Sequence, residues 1–116
     1  MEPIAQPAGN AAHDLGAAID LLWTLFLPEI RERVGLLEAA ATACATNQLS
    51  AAQRESAHAA AHKLAGTLGT FNLTHGTDLA REFELLFSGE DCPGSALAGR
   101  LTSIAAELRA VVESRR

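Results

Sequence analysis

The sequence predicts an all-α fold: an antiparallel up-down four-helix bundle with an additional N-terminal helix. Three observations carry that prediction. Apolar residues recur at three- and four-residue spacing through most of the chain, which is the period of a helix with one buried face. No segment sustains the apolar-polar alternation of a half-buried strand. Alanine and leucine dominate the composition, and both are strong helix formers. At 116 residues the chain suits one domain with a single core. Its connections are short, which makes neighbouring helices antiparallel.

Residues 1–11, with Pro3, Pro7 and Gly9, read as a flexible leader, and residues 12–116 as the bundle domain. Asp14 is placed to cap a first helix whose apolar stripe is Leu15, Ile19, Leu22 and Phe26. Pro28 interrupts that segment and suits the first turn of a second helix. The second helix carries Ile30, Val34, Leu37, Ala41 and Cys44 and should fade near residues 46–47. "SAAQ" at residues 50–53 has the spacing of a capping box, so a third helix is expected over residues 51–70. Asn72 is suited to a left-handed cap at its end. A fourth helix over residues 75–88 would bury Leu79, Phe83, Leu86 and Phe87. "SGEDCPGS", residues 88–95, is loop chemistry. A last helix over residues 95–113 carries Leu97, Leu101, Ile104, Leu108 and Val111.

Composition removes several classes of function. A formal net charge of −5 leaves no basic patch to neutralise nucleic-acid phosphates. No apolar stretch approaches the roughly 20 residues that span a bilayer. The opening "MEPIAQPAGNAAHD" has neither the basic residues nor the apolar run of a signal peptide, so a cytoplasmic protein is expected. The two cysteines, Cys44 and Cys92, show no metal-ligand pairing and are expected as reduced thiols, one in the core and one in a loop.

The third helix holds the chemistry. With His62 set at zero on a helical wheel, Leu64, Leu68, Ala57, Ala61 and Phe71 form a stripe centred roughly 140 degrees away. A lone histidine is ordinarily a satisfied core residue, but this one points away from the core. Around it stand His58, Ala59, Ala65, Gly66, Gly69 and Thr70, where a solvent face would carry Glu, Lys or Gln. Two glycines inside a helix each weaken it by roughly 1 kcal/mol relative to alanine. Side chains this small allow close approach, either by a partner or by another helix or a second copy of the chain. His58 and His62 share the four-residue spacing of a metal pair, but no carboxylate on this helix completes a site, so no metal is expected. No glycine-flanked serine or nearby cysteine marks a hydrolytic nucleophile. Neutral imidazole alone is a nucleophile toward phosphorus near pH 7, provided its ring is exposed on a rigid element.

"AHKLAGTLGTFNL" followed by "LAREFELL" resembles the histidine-containing phosphotransfer (HPt) domain family over about residues 20–113. The signature is carried by His62, Leu64, Gly66, Thr67 and Gly69, with "LPEIRERVGLLEAA" before it where the family has a flanking bundle helix. The resemblance implies that His62 is the phosphoacceptor, exchanging a phosphoryl group with the aspartate of a response-regulator receiver domain or a hybrid sensor histidine kinase. It implies support from Gly66, which leaves room beside the ring, and from Thr67. Many family members carry lysine three residues after the histidine, where this chain has Ala65; Lys63, the nearest cation in sequence, is expected to support the phosphoryl site in its place. His58, Ala59, Ala65, Gly69 and Thr70 are expected to face the partner. The resemblance also implies a carrier without catalytic machinery or cofactor of its own, any Mg²⁺ residing on the receiver, and a monomer. The chain contains no nucleotide-binding loop, which sets it apart from a kinase. A sensor-kinase dimerisation helix typically has an acidic residue after its histidine; here Lys63 follows. The alternative reading is an adaptor that binds a receiver or other partner through the His62 face without being phosphorylated.

Overall fold

The computed structural model describes residues 6–87 and 95–115, with side chains from 14 to 87 and 97 to 115. Within them the chain forms four helices and no strand: α1 (Gln6–Ala45), α2 (Ala51–Thr70), α3 (Thr74–Leu86) and α4 (Ser95–Ser114). Each helix packs on its neighbours in the chain, and α1 closes the ring on α4. Cross-links fix the directions. His62 meets Glu84 and Thr77 reaches Ala65 between α2 and α3, while Arg31 and Arg109 on α1 and α4 meet Glu113 and Glu38. Rising numbers on one helix therefore face falling numbers on the next, which is the expected up-down bundle.

One expectation fails inside α1. The helix does not break at Pro28 but runs through it for 40 residues, so the additional N-terminal helix and the first bundle helix are continuous. Asp14 consequently lies within α1 rather than at its cap. Proline removes one backbone donor, and a helix interior ordinarily pays about 3 kcal/mol for it. The compensation is visible in the core stripe. Trp23, Leu27, Ile30, Val34, Leu37, Ala41 and Cys44 keep alternating spacings of four and three on both sides of Pro28, so a break would disrupt a single packing surface. Pro28 itself sits on the exposed side. At 1.5 Å per residue α1 is about 60 Å long, twice the length of α2, and the molecule measures 69 × 21 × 20 Å. The N-terminal part of α1 extends past the bundle, leaving Leu15, Leu21, Leu22 and Leu25 exposed. Of the stripe Leu15, Ile19, Leu22 and Phe26, Ile19 is the member partly buried against the core.

α2 begins as expected: Ser50 Oγ accepts the backbone N–H of Gln53 at 3.0 Å. It ends in a Schellman turn, with Leu73 N bonded to Leu68 O and Asn72 N to Gly69 O, around Asn72 at φ 60°. Asn47 closes α1 in the same way at φ 56°. The core is filled by Ile30, Leu37, Leu64, Leu68, Phe83, Leu101, Ile104 and Leu108, all fully buried. Cys44 is buried and disulfide-bonded rather than a reduced thiol. Spacing along a sequence gives no measure of how close two cysteines come in space. Cys92 and residues 88–94 of the expected loop at 88–95 lie outside the described residues, as do residues 1–5 of the expected leader; α1 begins at Gln6, within that leader, and α4 at Ser95.

Candidate functional site

His62 stands on α2 with its side chain 74% exposed, yet the ring is held. Its Nδ1 lies 2.9 Å from Glu84 Oε2, a carboxylate delivered from the facing helix α3 and 23% exposed. An ionised carboxylate only accepts hydrogen bonds, so Nδ1 carries the proton and donates it. In the neutral ring this tautomer leaves the lone pair on Nε2. The same Glu84 oxygen is 3.9 Å from His58 Nε2, outside hydrogen-bond range. Among the described residues no three histidine, cysteine or carboxylate side chains are grouped to hold a metal ion.

The position of Glu84 follows from the turn between the helices. A three-residue connection at 71–73 folds α3 back along α2, which sets residue 62 opposite about residue 82 and brings Glu84, about half a turn further on, within reach of its ring. Glu84 is not visible on a wheel of α2 alone, because it belongs to α3. Folding the two helices back through Asn72 would have found it. The same register explains Ala65. Expected on an open face, it is 6% exposed, because α3 covers it and the Thr77 hydroxyl donates to its carbonyl at 3.2 Å.

Beside the ring lies an open cavity of about 390 Å³ lined by His62, Ala65, Gly66, Arg81, Glu84 and Leu85. A Cβ added at Gly66 would meet nothing within 4 Å. Gly69 differs: there a Cβ would sit 3.5 Å from the Thr77 hydroxyl, so its neighbour is this chain's own α3. The small residues on the histidine face therefore serve both purposes the sequence left open. Ala65 and Gly69 admit α3, and Gly66 borders open space.

The remaining expected residues scatter. Lys63 is exposed but lines a different groove of about 240 Å³ between α1 and α2, with Arg33, Leu36, Ser56, Ala59 and Ala60. Thr67 is half-buried and lines neither space, as its offset of about 140 degrees from His62 requires. Thr70 is exposed and turns its hydroxyl back onto the Gly66 carbonyl at 3.1 Å. His58 is half-buried one turn before His62. His62, Ala65 and Gly66 are thus brought together at one cavity, joined by Glu84, Arg81 and Leu85 from α3.

A helical bundle presenting one exposed, carboxylate-held histidine on its second helix is the architecture of a histidine phosphotransfer module. The Hpt domain family matches residues 21–114, and the chain belongs to that family. Its members carry phosphoryl groups in two-component signalling without catalytic machinery of their own, and work with receiver domains and histidine kinases. The chain is 37% identical over 75 residues to Protein RcaC of Microchaete diplosiphon. The alignment covers 65% of this chain and 12% of that protein, so the chain spans about an eighth of that relative's length. No solved structure matches the chain significantly. Among the described residues no helix is long and apolar enough to cross a membrane.

Proposed function

We propose that this protein is a phosphorelay intermediate in which His62 Nε2 accepts and donates the phosphoryl group. The observation that carries the reading is the 2.9 Å contact between His62 Nδ1 and Glu84 Oε2, which holds a largely exposed ring and leaves Nε2 as the nitrogen available for attack. In the accepting step the Nε2 lone pair forms an N–P bond as the P–O bond to a receiver's aspartate breaks, and the aspartate leaves as a carboxylate. Donation is the reverse, onto a second receiver's aspartate. The phosphorylated ring keeps its proton on Nδ1, donated to Glu84, in both directions. Mg²⁺ and any acid-base groups belong to the receiver in this reading. In this reading the protein acts as a monomer in the cytoplasm.

The reading is tested by incubating the chain with a phosphorylated receiver, comparing wild type with His62→Gln. Acid-labile, base-stable label on wild type alone is the expected result. Equal labelling of both proteins, or none with any receiver, would overturn it. Receiver binding without label would favour the adaptor instead.

A further inference from the structure

A phosphoryl group on Nε2 would bring about two negative charges into a cavity whose wall already includes the Glu84 carboxylate. In a chain of net charge −5 that arrangement requires a local cation. Ala65, at the position where the family resemblance would supply a lysine, provides none. The geometry points to Arg81 as the residue that binds the phosphoryl oxygens on His62, an assignment that rests on the phosphotransfer reading above.

Four observations converge on Arg81. It is exposed and lines the same cavity as His62, whereas Lys63 lies in the groove on the α1 side. It sits one turn before Glu84 on α3. Because α2 and α3 run antiparallel, a step back from Glu84 to Arg81 corresponds to a step forward from His62 to Ala65 and Gly66. Arg81 therefore emerges across from the alanine, from the opposite helix. Gly66, where an added Cβ would meet nothing within 4 Å, leaves that space open to a guanidinium. Finally, Arg31, Arg33, Arg100, Arg109 and Arg115 each hold a carboxylate, while among the described residues Arg81 holds none. A planar guanidinium offers paired donors that match two phosphoryl oxygens, a geometry that an ammonium group does not reproduce.

The test uses the whole chain and a small phosphoryl donor, phosphoramidate, so that no receiver contact enters the measurement. Nε2 attacks phosphorus, the P–N bond of the donor breaks and ammonia leaves. Phosphorylation rate and phosphohistidine half-life are followed by ³¹P NMR for wild type, Arg81→Ala, Arg81→Gln, Arg81→Lys and Lys63→Ala, with thermal melts to show that each variant folds. Arg81→Ala and Arg81→Gln should label at least about tenfold more slowly, the scale of losing one charge-assisted contact to the reacting group. Arg81→Lys should recover part of the rate, and Lys63→Ala should match wild type. Wild-type kinetics in folded Arg81→Gln, or a larger loss in Lys63→Ala, would overturn the assignment while leaving the phosphotransfer reading intact. A wild-type chain labelled neither by phosphoramidate nor by a phosphorylated receiver would overturn both.

Discussion

Glu84 determines which nitrogen of His62 is free. Without it the two neutral tautomers exchange in water and the ring turns about its own bonds, so Nε2 is presented only part of the time. A hydrogen bond to a charged acceptor contributes about 1.5–3 kcal/mol where it is shielded. This one lies beside a largely exposed ring, so its worth falls at the lower end or below. Glu84→Ala should therefore slow phosphoryl acceptance by a factor on the order of ten while leaving the fold intact. Glu84→Gln, whose amide oxygen can accept the same N–H, should retain most of the rate. Equal rates in the alanine and wild-type chains would remove Glu84 from the site.

Glycine has a different meaning at each position along this face. Nothing stands within 4 Å of a Cβ at Gly66, so Gly66→Ala should raise stability by about 1 kcal/mol through helix propensity. Gly66→Glu should also fold yet slow transfer, because its side chain would enter the space beside His62. At Gly76 a Cβ would come 2.9 Å from Leu68 Cδ1 and 3.2 Å from Val111 Cγ1. Leu68 is fully buried and cannot swing clear. Overpacking of this kind costs about 1–3 kcal/mol, which outweighs the propensity gain, so Gly76→Ala should lower the urea midpoint where Gly66→Ala raises it.

At the scale of elements, the sequence is legible wherever a local rule decides. Ser50 and Asn72 bound α2 because a hydroxyl acceptor and a residue tolerant of φ 60° are what those ends need. Replacing Asn72 by β-branched Val should lower stability by about 1–2 kcal/mol, readable in thermal unfolding, since the left-handed backbone remains required. Pro28 was misread because its local cost competes with a non-local gain: the stripe from Trp23 to Cys44 is buried by α2 and α4 together. Trp23 shows how firmly that stripe is held. Its ring meets Phe71 edge-on at 5.1 Å, and the Arg115 guanidinium lies 4.9 Å from its centroid. Its Nε1 is buried without a partner, so Trp23→Phe should be much milder than Trp23→Ala, for which a loss of about 3–5 kcal/mol is expected. The site residues divide in the same way. His62 and Gly66 were visible on one helix, whereas Glu84 and Arg81 arrive from another and needed the register between them.

At the scale of the whole molecule, exposed ion pairs tie α4 to its neighbours. Arg31 on α1 bonds Glu113 at 2.7 Å; Glu113 also faces Arg109 at 3.6 Å, and Arg109 bonds Glu38 at 2.7 Å. On the other side Arg100 bonds Glu82 of α3 at 2.6 Å. Hydrogen bonds from Arg31 hold the Glu113 carboxyl below its ordinary value, and those from Arg100 do the same for Glu82. A carboxylate with a depressed folded-state pKa stabilises the fold above its unfolded value of 4.5, and that contribution is lost as pH falls through the folded value. The partner arginines are raised from their ordinary value by their hydrogen bonds to carboxylates and stay charged throughout. The urea midpoint should therefore be level from pH 8 to about 5 and decline below 4.5. Because these groups are exposed, the decline should be shallow and should flatten further in about 1 M salt, where the screening length falls to about 3 Å. Removing Glu113 disconnects two arginines at once, whereas removing Glu82 disconnects one. Glu113→Gln should accordingly take more of the acid-dependent slope than Glu82→Gln. Equal slopes in both variants and wild type would mean that the apolar stripe alone fixes α4 in the bundle.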